Sequence, residues 1–166
     1  MENLEIILSD FSKDKIDKLV YEELKLSTLT VKSSHFYDNK LVKDIEFPQV
    51  KNLKDVLSPK GTGNIFIEEL HLGISLKNVV IVFSFNEKCG DVVFNFPVTD
   101  VLNDKSRQNK IRFKELVNYL FNLRLKFDVS KVLLGYEPAD DEDTLLIEIN
   151  NNKINFFDKE IEKLIV

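Results

Sequence analysis

The sequence has little of several residue types that mark particular classes of protein. Its 166 residues include one cysteine, no tryptophan, five glycines and four prolines. A single cysteine cannot form a disulfide within the chain, which fits a reducing compartment. Because glycine and proline are scarce and 43% of the residues are hydrophobic, a disordered or low-complexity chain is excluded.

Long hydrophobic runs are also missing. The longest uninterrupted apolar run is at 79–83, far short of the roughly 20 residues that span a bilayer. The apolar run at 4–8 contains Glu5 and follows no basic segment, so it does not have the pattern of a signal peptide. These absences predict a cytoplasmic protein without membrane contact.

Positive charge is scarce toward the carboxyl end of the chain. The formal net charge is −5, which disfavours general nucleic-acid binding because that function needs basic surface. Residues 99–127 carry seven basic and three acidic side chains, whereas residues 128–166 carry four basic and ten acidic ones. The acidic end is therefore the more unusual region of the sequence.

The hydrophobic pattern predicts a single α+β domain over residues 1–166. Apolar alternation predicts strands, and a 3.6-residue repeat predicts helices. Strands are expected at 4–8, 65–74, 79–85, 92–96, 131–136, 144–149 and 154–157, and helices at about 12–26, about 105–126 and 159–165. The expected architecture is a mostly antiparallel β-meander sheet packed by the long helix and the N-terminal helix.

Two details of this prediction concern the first third of the chain. Ser12 is expected to cap the free N–H groups of the N-terminal helix. Between the helix and the meander, the pattern allows strands at 28–31 and 41–47 and a short helix at 52–57. The segment Lys60-Gly61-Thr62-Gly63 is expected to be a turn or loop.

An acidic segment, Glu137-Pro138-Ala139-Asp140-Asp141-Glu142-Asp143, lies between two predicted strands. Clustered carboxylates increase the association rate with cationic partners, so Glu137, Asp140, Asp141, Glu142 and Asp143 are candidate partner-binding residues. Oxygen-rich loops also bind calcium, but this segment lacks the glycine and the distal glutamate of a twelve-residue calcium loop. The third interpretation is a solvated loop whose charges keep strand edges from pairing.

The candidates for catalysis each lack a companion residue. Glu69 and His71 would share one face of a strand, but a metal site needs three or four ligands, and the other histidine, His35, has no partner pattern. Cys89 follows a lysine in a predicted turn, but no base is nearby to activate it. The sequence therefore predicts no catalytic residue, no metal site and no cofactor.

Two phosphate-binding signals are equally incomplete. Gly61-Thr62-Gly63 lacks the Gly-Lys-Ser/Thr ending of a Walker loop. A set of basic residues surrounds the start of the long predicted helix, where phosphates would be contacted: Lys105, Arg107, Lys110, Arg112 and Lys114. Without aromatic residues interleaved on the same face, these are expected to form a solvated surface.

The chain has a meander at 65–97, then the long helix, and then the segment Lys131-Val132-Leu133-Leu134-Gly135-Tyr136-Glu137-Pro138-Ala139-Asp140-Asp141. This order of features resembles that of small bacterial immunity proteins. Those proteins neutralise polymorphic or contact-dependent toxins, and the similarity covers residues 65–149. The resemblance implies a cytoplasmic binding protein, of a kind that is often acidic, that occludes the active site of a toxin. These families share no catalytic residues that could be assigned to positions of this sequence.

Two other classes of function stay open at the level of the sequence. A structural or assembly protein, such as a phage component or a homo-oligomeric scaffold, fits the aromatic-rich meander, because an edge strand or apolar patch supports self-association. An enzyme with an unfamiliar site would depend on Glu69, His71 and Cys89.

Overall fold

The computed structural model describes residues 2–103 and 106–166, and within them the chain forms one nine-stranded sheet. The strands are β1 (Asn3–Ser12), β2 (Val31–Asp38), β3 (Lys43–Ile45), β4 (Gly61–His71), β5 (Ser75–Phe85), β6 (Cys89–Pro97), β7 (Lys131–Tyr136), β8 (Leu145–Asn150) and β9 (Lys153–Phe156). Their order across the sheet is β3-β2-β4-β5-β6-β1-β7-β8-β9. Every neighbouring pair is antiparallel. The predicted α+β class is confirmed.

In the described part of the chain, three α-helices accompany the sheet: α1 (Leu53–Val56), α2 (Ser106–Phe127) and α3 (Lys159–Ile165). The first lies within the short helix predicted at 52–57, and the second occupies the region of the long predicted helix, whose first predicted residue, Lys105, lies outside the described residues. Asp158 caps the third helix, since its Oδ1 accepts the N–H groups of Glu160 and Ile161 at 2.9 and 3.1 Å. Within the described residues, no helix is both long and apolar enough to cross a membrane.

The N-terminal helix differs from the continuous helix predicted at 12–26. The chain forms a 3-10 turn at Lys13–Lys15, π-helical turns at Lys18–Glu23 and a second 3-10 turn at Leu26–Thr28. Lys25 has a left-handed backbone conformation (φ 52°) and separates the π-helical turns from the second 3-10 turn. Ser12 makes no capping hydrogen bond to any described residue, because it is still part of β1, which stays paired with β6 up to this residue.

The turn predicted at Gly61-Thr62-Gly63 is wrong, because these residues begin β4. Gly63 pairs with Phe36 of β2, and a Cβ at this glycine would lie 2.1 Å from the Cδ1 atom of the phenylalanine ring. The strand needs glycine here so that the ring can pack against the backbone.

The two faces of the sheet have different surroundings. On the covered face, Leu4, Ile6 and Phe94 are fully buried in the same apolar core as Phe113 and Leu120 of α2. We call the opposite side of the central strands the open face, and define it by Glu5, Ile7, Val80, Val82, Val93, Asn95 and Leu133. Val80, Val82, Val93 and Asn95 are only half-buried.

The apolar cluster on the open face contains no helical residue among those described. It consists of Ile7, Leu133 and Ala139, packed with the half-buried Val93 and Leu145. Four of these residues come from strands, and Ala139 comes from the acidic segment. That segment therefore folds over one side of the open face.

Candidate functional site

The acidic loop, residues 137–143, connects β7 to β8 and exposes all five carboxylates predicted as partner-binding residues. Glu137, Asp140, Asp141, Glu142 and Asp143 are each exposed. The structure thus brings these side chains together on one surface segment, as their closeness in sequence requires.

Hydrogen bonds within the acidic loop fix its backbone. The N–H of Asp141 donates to the carbonyl oxygen of Pro138 at 3.3 Å. The N–H of Asp143 donates to the Asp141 carboxylate at 3.0 Å, and the N–H of Thr144 donates to the Asp141 carbonyl oxygen at 3.1 Å. Asp141 therefore organises the loop, while Asp140, Glu142 and Asp143 present their carboxylates to solvent.

A second set of contacts joins the acidic loop to β1. The N–H of Glu137 donates to the carbonyl oxygen of Asn3 at 3.2 Å, and the Asn3 side chain donates back to the Glu137 carboxylate at 3.3 Å. The N–H of Ala139 donates to Glu5 Oε1 at 3.0 Å. Because Ala139 is also fully buried, the loop is attached to the sheet through both polar and apolar contacts.

Glu5 is the buried acid beneath this loop. Its side chain lies on the open face and the residue is 9% exposed. Burial raises the pKa of Glu5 above its ordinary value, the hydrogen bond from the Ala139 N–H lowers it, and the negative charges of Glu137 and Asp140 raise it further. The site therefore holds a partly desolvated carboxyl group with acidic neighbours.

The negative charge at this site is not balanced within the described part of the chain. The ion pairs there join His35 to Asp44, Lys54 to Asp14, Lys126 to Glu23 and Lys163 to Glu160. None of them includes Glu5 or a carboxylate of the acidic loop. Such a surface attracts cationic groups and repels anionic ones.

The calcium interpretation of the acidic loop gains no support. Within residues 2–103 and 106–166, no group of three or more His, Cys, Asp or Glu side chains is arranged to hold a metal ion. Asp141 instead uses its carboxylate to accept the N–H of Asp143.

The three residues considered for catalysis are not brought together. Glu69 and His71 are exposed at the end of β4 that pairs with the start of β5, where Ser75 donates a hydrogen bond to Glu69. Cys89 is the first residue of β6 and lies beside the far end of β5. The length of β5 therefore separates the thiol from the other two side chains.

The basic residues of α2 have mixed surroundings. Arg112 donates through Nε to the Asp100 carbonyl oxygen at 2.9 Å and through Nη2 to the Ser75 carbonyl oxygen at 3.2 Å. Arg107 and Lys110 are exposed, and Lys114 is half-buried. Arg112 thus connects α2 to neighbouring backbone instead of facing a ligand, and Lys105 lies outside the described residues.

Sequence reasoning missed Glu5 as a member of the site. The available signal was the alternation at 4–8, which places Glu5 and Ile7 on the face opposite Leu4, Ile6 and Leu8. A carboxylate beside isoleucine on a central strand needs a polar partner. The partner is the N–H of Ala139, which lies 134 positions further along the chain.

Comparisons with known proteins identify the family and the fold that this chain resembles. The family model described as PABL017 Cdi1I immunity protein matches residues 2–152. No curated protein matches the sequence. The fold is similar to a chain in the crystal structure of the toxic C-terminal tip of CdiA from Pseudomonas aeruginosa in complex with immune protein, with a TM-score of 0.68 and 19% identity over 90% of this chain and 95% of that chain.

Proposed function

This chain belongs to the PABL017 Cdi1I immunity protein family, and we propose that its partner is a toxin domain like the C-terminal tip of CdiA. The resemblance to small bacterial immunity proteins that is visible at 65–149 is confirmed by the family match. The chain is therefore a toxin-neutralising binding protein. The two alternatives that the sequence left open, an assembly protein and an enzyme, have no comparable support.

The proposed docking segment is the acidic loop. The observation that carries this proposal is that its five exposed carboxylates have no cationic partner among the described residues. The loop is also attached to β1 by hydrogen bonds to Asn3 and Glu5, which reduces the conformational entropy lost when a partner binds it. The fitting partner surface is basic, as it is in domains that bind nucleic acid.

The proposed mechanism is occlusion without a chemical reaction on the part of this chain. The bound immunity protein covers a basic surface that the toxin needs for its own substrate. We place this event in the cytoplasm, where a single unpaired cysteine such as Cys89 is compatible with the reducing conditions.

The test uses a loop variant and a variant with the same change in net charge elsewhere. The loop variant is Asp140→Asn, Asp141→Asn, Glu142→Gln and Asp143→Asn. The control replaces four other exposed acids: Glu22→Gln, Glu87→Gln, Glu115→Gln and Asp128→Asn. Stopped-flow or surface plasmon resonance measurements give the association rate constant with the C-terminal domain of the cognate toxin.

We expect the loop variant to associate at least about tenfold more slowly than the wild type at low salt, because steering by charge is lost. The difference should shrink in about 0.5 M salt, where charges are screened over a few ångströms. The control variant should lose much less. Equal losses in the two variants would show that net charge matters and the loop does not, and a wild type that fails to bind would remove the proposed partner.

A further inference from the structure

We propose that the toxin inserts a cationic side chain, an arginine or a lysine, over the open face of the sheet, between Glu5 and Asn95. This inference rests on the proposed function, since the occupant is the same toxin domain. It extends the binding site from the acidic loop onto the sheet and names the chemistry of the central contact.

The two residues are neighbours on the same face. Glu5 of β1 pairs directly with Asn95 of β6. The adjacent residues on the same strands, Ile6 and Phe94, point to the covered face and are fully buried. Directly opposite residues have Cβ atoms about 5 Å apart, so one inserted group can contact both side chains. Asn95 Oδ1 is enclosed in the free protein, so the amide turns about its Cβ–Cγ bond to accept a hydrogen bond from this group.

Both side chains have acceptor atoms that the described chain leaves unused. Asn95 Oδ1 is buried and has no hydrogen-bond partner among the described residues. Glu5 accepts the Ala139 N–H through Oε1, and no described donor bonds its second oxygen, Oε2. A buried acceptor without a donor is unfavourable. A lysine supplies three donors and an arginine five.

The charge at this position selects a cation over a neutral donor. Glu137 and Asp140 lie close enough to Glu5 for their charges to raise its pKa. None of these three carboxylates forms an ion pair within the described part of the chain. The same charges argue against a second copy of this chain as the occupant, because two such faces would repel each other.

An apolar line beside the polar pair completes the surface. Val82 and Val93 are cross-strand partners on β5 and β6. The row continues through Ile7 of β1 and Leu133 of β7, which are buried against Ala139 of the acidic loop. The two valines are half-buried, and no helix packs on this line among the described residues. The hydrocarbon stem of an arginine or lysine packs on such a surface while its charged end reaches the carboxylates.

The test measures the affinity for the C-terminal domain of the cognate toxin by isothermal titration calorimetry. Glu5→Gln keeps an acceptor for the Ala139 N–H but removes the charge, and Val82→Lys places a cation on the open face. Their matched controls on α2 are Glu115→Gln and Ile111→Lys, at two exposed positions. Thermal unfolding of all four variants verifies that they fold.

Glu5→Gln and Val82→Lys should each weaken binding by about thirtyfold or more, which corresponds to about 2 kcal/mol at 1.4 kcal/mol per tenfold change. The two controls should stay within about threefold of the wild type, as expected for surface substitutions. In a scan of the toxin's arginines and lysines, one substitution should be non-additive with Glu5→Gln, which identifies the inserted side chain.

The possible failures are distinguishable. A wild type that does not bind overturns the proposed partner and this inference with it. If the wild type binds and the acidic-loop variant is impaired, but Glu5→Gln and Val82→Lys bind as well as their controls, only the inserted cation is overturned. Loss of binding in Val82→Lys without any toxin residue that couples to Glu5 also overturns it.

Discussion

The two faces of the sheet differ although the same strands build both. On β6, Phe94 and Phe96 of the covered face are 0% and 1% exposed, whereas Val93 and Asn95 of the open face are half-buried. The covered face is packed by helical residues in a single large core. The open face carries a small apolar cluster, a buried carboxylate and an amide oxygen that has no hydrogen-bond partner among residues 2–103 and 106–166.

This difference separates what holds the fold together from what contacts a partner. An antiparallel sheet with one solvated face normally alternates apolar and polar residues, so polar side chains on the open face need no explanation. The apolar row formed by Ile7, Val82, Val93 and Leu133 does need an explanation, because these side chains lie outside the large core on the other side of the sheet. Stability should therefore depend mainly on the covered face, and affinity on the open one.

The largest expected effect comes from comparing truncations at two consecutive residues of β6. Phe94→Ala removes a fully buried ring and should lower the free energy of unfolding by about 3–5 kcal/mol. Val93→Ala should cost about 1 kcal/mol or less, because its side chain is half-exposed. Urea unfolding of both variants measures the difference. Similar losses at the two positions would mean that the open face is also structural core.

Much of the sheet could be predicted from the sequence, because local patterns specify many of its strands. The meander and the last three strands follow apolar alternation, and the last hairpin follows from Asn151 and Asn152, which adopt φ 43° and 59° in the turn. The order of the strands could not be predicted. Placing β1 between β6 and β7 depends on pairings between distant parts of the chain, about which local periodicity contains no information.

The N-terminal helix shows why periodicity alone was insufficient. Ile16, Leu19, Val20 and Leu24 are buried, as their spacing predicts. The pairing of β1 with β6 extends to Ser12, so the strand occupies the residues where a regular α-helix would begin. Tertiary contacts therefore overrode the local helical preference.

The candidate site was predicted only in its exposed part. The carboxylates of residues 137–143 are visible in the sequence because they are consecutive. The contribution of Glu5 depends on its contact with Ala139, and the contribution of Asn95 on its position opposite Glu5. Contacts of this kind become visible only once the strands are placed.

A smaller effect is expected at Asn95, where a change that favours stability should weaken the binding of the toxin domain. Asn95→Val removes the amide oxygen that no described residue bonds and introduces a residue that favours strands. We expect the free energy of unfolding to rise by about 1 kcal/mol, while the affinity for the toxin domain falls. Urea midpoints at an unchanged slope measure the first quantity, and calorimetry measures the second. A loss of stability would show that the amide oxygen has a donor in the free protein.

The smallest expected effect is a pH dependence of the free energy of unfolding that arises from Glu5. Its pKa in the folded protein is raised above the ordinary value of 4.5, mainly by burial, so the folded state keeps this proton at pH values where the unfolded state has lost it. Stability from this residue should therefore fall as pH rises from about 4.5 through the folded pKa, and be constant above that.

Glu5→Gln should abolish this fall, and Glu115→Gln, an exposed substitution on α2, should retain it. Urea unfolding of the three proteins between about pH 4 and pH 8 gives the comparison. If the wild type and Glu5→Gln differ by the same amount at every pH, folding does not alter the ionisation of Glu5. The acidic loop would then not enclose this carboxyl group, and the open face would lose the feature that most distinguishes it from an ordinary solvated sheet.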